Sequence, residues 1–229
     1  MVIRILWIFL TVVLMYTLLP YILTSVLGLG VIKQRKNSGE IAITFDDGPN
    51  PIYTPVVLDV LKKYDVQATF FVHGSKAAIH PELLLRMQRE GHLIGIHNYV
   101  HRANWLMSPW GVKKQLDQSS RIIEGITGTK PIYYRPPWGL VNLFYPTLLK
   151  DYKIILWSVM ARDWKSVGGS ERIKNELLTK IKKGDIILLH DNGETIGADL
   201  DAPQNTIQAL DEVLQELVPK GYQFSRVDE

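Results

Sequence analysis

Residues 40–49 read EIAITFDDGP. Ile41, Ala42, Ile43, Thr44 and Phe45 form an unbroken apolar or β-branched run, followed by two adjacent carboxylates and then Gly48-Pro49. A short apolar run bounded by turn residues fits a strand covered on both faces, as in a parallel sheet. Successive residues leaving a strand point in different directions. Asp46 and Asp47 can therefore divide their work, one toward a metal and the other toward a substrate water. Asp-Gly-Pro is also ordinary turn chemistry, so the pair taken alone leaves an Asx-type turn open. Two carboxylates ending a buried strand nevertheless need compensation by something.

Upstream, residues 33–39 (KQRKNSG) are short and polar and read as a linker. Before them, residues 5–32 form a stretch of 28 residues without a formal charge. About 20 apolar residues span a bilayer core, and Pro20 is tolerable in a membrane helix. The reading adopted is a single-pass transmembrane anchor over residues 1–32. The competing readings are a cleaved signal peptide, which has a shorter apolar region and a better small-x-small site than Gly28-Leu29-Gly30, and a buried soluble helix. Arg4 precedes the stretch, whereas Lys33, Arg35 and Lys36 follow it. That difference weakly favours a cytoplasmic location for the following domain. The functional reading below places it on the extracytoplasmic side of the cell membrane and outweighs so small a bias.

Downstream, strand-like and helix-like segments alternate. Strands are expected at 40–45, 67–72, 92–96, 132–134, 153–159, 185–189 and 222–227, and helices at 54–64, 81–90, 109–126, 143–150, 170–182 and 202–217. Strict alternation implies a parallel sheet with helical crossovers, open or closed into a barrel. The domain is expected to occupy residues 40–229. The 46% hydrophobic content can supply its core. A net charge of only +3 with no basic stripe argues against a nucleic-acid partner. The absence of cysteine excludes disulfides, thiolate metal sites and a cysteine nucleophile.

The residues with chemistry fall at the ends of those strands, the side on which barrels of this kind carry active sites. Asp46 and Asp47 follow the first strand, His97 the third, Arg135 the fourth, Asp163 the fifth and His190 the sixth. His97 and His101 are four apart, a spacing from which both imidazoles can reach one divalent ion, zinc above all. Asn98 stands where a His-Glu-x-x-His protease carries its base, so that reading fails. Asp47, His97 and His101 together make a set of three protein ligands that leaves a position free for water, as catalytic rather than structural sites do. Arg135, stiffened by Pro136 and Pro137, can orient Asp46. The backbone N–H of Trp138 can face a developing oxyanion, and its side chain a pocket wall. His190 is placed to protonate a leaving group, with Asp163 to orient it. His73, His80 and His92 receive no role, and His80 before Pro81 looks like helix-entry surface.

With these stretches in view the chain resembles the polysaccharide deacetylases of carbohydrate esterase family 4, over about residues 39–228. The resemblance rests on TFDDGP (44–49), HNYVH (97–101), RPPWG (135–139), Asp163-Trp164 and LLHD (188–191), in that order. It implies a distorted (β/α) barrel of about seven parallel strands and metal-dependent removal of acetyl groups from N-acetylglucosamine-type sugars. By matching position, Asp46 resembles the general base, and Asp47, His97 and His101 the ligands of zinc, cobalt or another divalent ion. Arg135 resembles the residue positioning the base, the Trp138 backbone the oxyanion donor and His190 the general acid. Asp163 resembles the support of that acid, and Leu188 a wall of the acetyl pocket. The chain departs from the family at Asn98, where Ser or Thr is usual, and at Met160, where Asp is usual. The implied substrate is an acetylated amino-sugar polymer of the cell surface, such as peptidoglycan or a chitin-like chain. An O-acetyl esterase and a catalytically silent glycan-binding module are the alternatives.

Overall fold

The computed structural model describes residues 1–35 and 38–229, so Lys36 and Asn37 of the expected 33–39 linker lie outside the described residues. Helix α1 (Val2–Tyr21) continues as a single π-helical segment, Ile22–Val26. It is the one helix among the described residues long and apolar enough to cross a membrane. Its C-terminal part touches the rest of the chain. Tyr16 donates its hydroxyl to the Met107 carbonyl at 2.5 Å, and the Tyr21 ring meets Trp105 edge-on at 6.3 Å.

Parallel strands β1 (Ile41–Asp46), β2 (Thr69–Val72), β3 (Leu93–Ile96), β4 (Tyr133–Tyr134) and β5 (Lys153–Ile154) run from the centre of a curled sheet to one edge. On the other side of β1 lie β7 (Ile186–His190) and then β6 (Val159–Met160). Strand β8 (Phe224–Ser225) pairs with the start of β1. Every pairing between these strands is parallel. The crossovers are α2 (Tyr53–Lys63), the pair α3 (Gly74–Ile79) and α4 (Pro81–Arg89), α5 (Pro109–Thr127), α6 (Tyr145–Leu148), α7 (Gly169–Lys180) and α8 (Ala202–Leu217). The alternation left the sheet open or closed; the sheet is curled into a half-barrel, in keeping with the distorted (β/α) barrel that the family resemblance implies.

Side-chain parity sorts the core into two clusters, because successive strand residues point to opposite faces. Ile41, Ile43 and Phe45 face outward into a large cluster with Val57, Leu58 and Leu61 of α2 and Leu210, Val213 and Leu214 of α8. Ala42, Phe71, Tyr133, Ile155 and Ile186 form a smaller inner cluster inside the curl. Burying one such aliphatic or aromatic side chain is worth about 1.5–3 kcal/mol, so the outer cluster dominates stability. The inner space is narrow. A Cβ on Gly95 would come within 2.6 Å of the Phe71 ring and 2.9 Å of the Tyr133 carbonyl.

The expected single strand 153–159 is two pieces at opposite edges of the sheet, β5 against β4 and β6 against β7. The residues between them carry the chain across the seam: Ile155 N–H bonds to Tyr134 O, and Ser158 N–H to Ile186 O. The N-terminal segment fits into that seam, with Ile32 bridging Ile155 in parallel and Gln34 bridging Asp185 in antiparallel. Periodicity cannot reveal such a split, because it reports which residues are buried and not which neighbour receives their hydrogen bonds. The expected helix 143–150 shrinks to α6, and α3 was not foreseen.

Candidate metal centre and active site

The inner parity of the sheet continues one step past the strand ends, and the chemistry is found there. In β1 the series Ala42, Thr44, Asp46 faces inward, and in β7 so does Ile186, Leu188, His190. Beyond Tyr133 in β4 the next inner position is Arg135. Arg135 is fully buried. Its guanidinium lies 4.3 Å from the centre of the Phe71 ring. It donates to Asp46 Oδ1 at 2.8 Å, Thr44 Oγ1 at 2.7 Å, Ile155 O at 3.1 Å and Leu156 O at 3.0 Å. The break in the expected strand 153–159 thus turns two carbonyls toward the arginine. Burial pulls the guanidinium's pKa below its usual value, against the attraction of Asp46.

Asp47 leaves the strand with φ 75°, in the left-handed region. Asn98 (φ 59°), Trp138 (φ 55°) and Arg162 (φ 50°) share that conformation, so four of the five non-glycine residues with positive φ among the described ones lie in or beside the site motifs. Strain of this kind costs about 1–3 kcal/mol per residue and collects where side chains must be aimed. Gly48 is required next to Asp47, since a Cβ there would lie 2.4 Å from the Asp191 carboxylate oxygens. Asp191 accepts from Thr54 Oγ1 at 2.5 Å, tying the end of β7 to α2. Burial pushes its pKa up to about 7.

Asp47, His97 and His101 each offer one ligand atom, and these atoms all lie within 4.8 Å of one another. The Nε2 atoms of His97 and His101 are 3.3 and 3.5 Å from Asp47 Oδ1. His97 Nδ1 sits 2.7 Å from the Arg135 carbonyl, which fixes the hydrogen on Nδ1 and leaves the Nε2 lone pair free. Metal-binding histidines are oriented in this way. Burial, reinforced by His97, lowers the His101 pKa to about 3, so its ring is neutral. Burial alone would raise the Asp47 pKa, but the facing His73 and His97 rings and the charge of His190 hold it well below the usual carboxylate range. Asp47 Oδ1 and His101 Nδ1 are buried without a hydrogen-bond partner. Two imidazoles and a carboxylate with an unsatisfied oxygen fit a divalent ion such as zinc.

The loop carrying the two histidines is tight rather than helical. Gln115 of α5 holds it by accepting from Tyr99 N–H at 2.9 Å and Val100 N–H at 3.0 Å. Asn98 is fully buried, accepting from the Tyr134 hydroxyl at 2.8 Å and donating to Arg102 O and Asn104 Oδ1, both at 3.1 Å. Asparagine is among the residues that best tolerate a left-handed backbone. Its presence here therefore has a structural reason.

Across the cleft, Asp163 is fully buried. It accepts from His190 Nδ1 at 3.0 Å, the His190 backbone N–H at 2.7 Å and Thr206 Oγ1 at 3.1 Å. Burial would lower the His190 pKa, but the Asp163 carboxylate, with Asp47 and Asp46 further off, raises it to about 9. The cleft, of about 340 Å³, is lined by these groups and by Trp138, Trp157, Met160, Trp164 and Leu188. Trp138 is half exposed and meets the His101 ring edge-on at 4.1 Å. Met160 puts a thioether rather than a carboxylate on the inner face of β6.

The structure brings together Asp46, Asp47, His97, His101, Arg135, Trp138, Asp163, Leu188 and His190. Sequence reasoning missed His73, whose ring faces Asp47 from the end of β2. The missed signal is parity, since His73 continues the inward series Thr69, Phe71. His80 flanks α4 as expected, and His92 is structural, its Nδ1 accepting from Ala68 N–H at 3.1 Å.

Carboxylates, imidazoles and a caged arginine thus meet at the rim of a curled parallel (β/α) sheet, the arrangement of a hydrolase. Residues 33–154 match the family model described as polysaccharide deacetylase, and the chain belongs to that family. A peptidoglycan-N-acetylglucosamine deacetylase of Bacillus cereus is 38% identical over 197 residues, covering 84% of this chain and 88% of that protein. The peptidoglycan-N-acetylmuramic acid deacetylase PdaC of Bacillus subtilis is 37% identical over 193 residues, or 84% of this chain. The match spans only 39% of PdaC. The solved structure of PdaC superimposes with a TM-score of 0.75 at 35% identity, covering 84% of this chain and 89% of that one.

Proposed function

We propose that this protein is a divalent-metal-dependent de-N-acetylase of an N-acetylglucosamine-containing cell-wall polymer, tethered to the membrane by the apolar helix within Val2–Val26, since Ile32 at the end of the expected 5–32 anchor is seated in the sheet seam. The observation that carries the reading is the pairing of two proton-transfer groups across one cleft. Asp46, oriented by Arg135, and His190, oriented by Asp163, flank the three ion-holding side chains. The names of the relatives point to peptidoglycan, and the sugar named differs between them.

An ion held by Asp47, His97 and His101 would polarise the acetamide carbonyl and make water acidic enough to attack near neutral pH. Asp46 takes the proton of that water as its oxygen bonds to the carbonyl carbon. The Trp138 backbone N–H stabilises the oxyanion. His190 Nε2–H gives a proton to the sugar nitrogen as the C–N bond breaks. The products are acetate and a free amino sugar. Leu188 and the cleft tryptophans shape an apolar pocket for the methyl group.

The test is acetate release from chitooligosaccharides and peptidoglycan fragments, with O-acetylated xylan in parallel. Chelation is expected to abolish release and zinc or cobalt to restore it. Activity undiminished by a strong chelator would end the metal-dependent reading, and release from the O-acetyl substrate alone would favour the esterase. The tether is tested separately: the full chain is expected to resist alkaline carbonate extraction from membranes.

The pH profile provides a further check. His190 must be protonated to act, so kcat/KM is expected to fall on the alkaline side as it loses its proton, at or below about pH 9. A cation at Asp47 cancels part of the negative charge that raises this pKa, which places the midpoint on the lower side. Asp163→Asn removes the main raising influence and is expected to move the alkaline limb down by roughly 1–2 units. An unmoved limb would show that another group titrates.

A further inference from the structure

His73 is 2% exposed, and neither of its ring nitrogens has a hydrogen-bond partner. It stands at an inner position, in series with Thr69 and Phe71, at the point where β2 enters α3. Its backbone N–H bonds to Gly48 O at 2.9 Å, which couples it to the loop that carries Asp47. Its Nε2 lies 3.4 Å from Asp47 Oδ1, the same unpartnered oxygen faced by His97 and His101. The ring centres of His73 lie 5.1 Å from His97 and 5.5 Å from His101. Three imidazoles thus surround one carboxylate oxygen. A buried, unpaired polar ring is costly, and a packing role alone would be served better by an aliphatic residue.

The compact set of ligand atoms comprises Asp47, His97 and His101 without His73. That distinguishes a fourth ligand from a group acting on a ligand. Ligating carboxylates are commonly held by hydrogen bonds from outside the coordination sphere, and loss of such a bond typically costs 10–100-fold in metal affinity. We propose that His73 is a positioning residue of the metal centre, its Nε2–H donating to the Asp47 carboxylate and holding it in the orientation the ion requires. With an ion in place, this 3.4 Å separation would have to close to ordinary hydrogen-bonding distance. This rests on the metal-dependent reading of the site.

The test uses the full chain with zinc, its affinity measured by competition with a chromophoric chelator, and with cobalt(II), whose visible absorption reports coordination. His73→Leu is expected to weaken zinc binding by about 10–100-fold. His73→Gln, which places an amide N–H near the Nε2 position, is expected to recover most of the loss. His73→Asn, whose amide is too short to reach, is expected to behave like Leu. The Gln–Asn comparison decides the matter if the Leu variant does not fold. The cobalt spectrum of the Gln variant is expected to match wild type in band position and intensity. Altered cobalt bands in the Gln variant would make His73 a ligand and overturn the proposal. Wild-type affinity in both Leu and Asn would overturn it in favour of simple space filling. If the wild type itself binds no ion, the metal reading falls and the proposal with it.

Discussion

Asp46→Asn is expected to lower kcat/KM by roughly 10²–10⁴-fold, the usual contribution of a positioned general base, with little change in zinc affinity. Asp46 and Asp47 are chain neighbours, yet they face different groups. Asp46 continues the inward series of β1 and is held by Arg135 at 2.8 Å, whereas Asp47 turns away at φ 75° to face the histidines. Asparagine keeps the shape and one acceptor but cannot take a proton. The contrasting variant is Asp47→Asn, expected to lose zinc affinity and activity together. Acetate release and chelator competition on both variants separate the two roles. An Asp46→Asn enzyme with near-wild-type turnover would show that the attacking water loses its proton elsewhere.

Arg135→Leu is expected to have the largest effect on stability. Removing one member of a buried ion pair typically costs about 3–5 kcal/mol, because the remaining charge is left without compensation. Here the Ile155 and Leu156 carbonyls also lose a donor, at about 1–3 kcal/mol each if they remain dry. The sum approaches the whole stability of a typical domain, about 5–15 kcal/mol. The variant should therefore unfold near or below ambient temperature. Adding Asp46→Asn removes the uncompensated carboxylate, so the double variant should lose less than the two single changes added together. Urea unfolding of the three variants measures that coupling. Strict additivity would mean that the pair is not coupled in the folded state.

Much of this site was legible before any coordinates. EIAITF announced a strand buried on both faces, and the five motifs each fell at a strand end. The grouping of Asp47, His97 and His101 was expected from spacing and from the family resemblance, and their ligand atoms do lie within 4.8 Å of one another. His73 was less accessible, since an isolated histidine in FFVHG carries no spacing signal. Its meaning comes from the inward direction of Phe71, which only the paired sheet defines. Asn98 looked like an unexplained departure. The structure gives it a left-handed backbone and a buried network with Tyr134 and Asn104.

The amino-acid pattern alone was sufficient for the alternating strands and helices, the parallel sheet, the strand-end location of the chemistry and the apolar N-terminal helix. These depend on local periodicity and on turn residues, which act over a few neighbours. Folding in three dimensions settled the division of 153–159 between two sheet edges, the seating of Ile32 and Gln34 in the seam, the cage of carbonyls around Arg135 and the approach of His73 to Asp47. Each of these concerns which distant group satisfies a buried donor or acceptor. That choice is made when the curled sheet brings its edges together, and no stretch of the chain read by itself contains it.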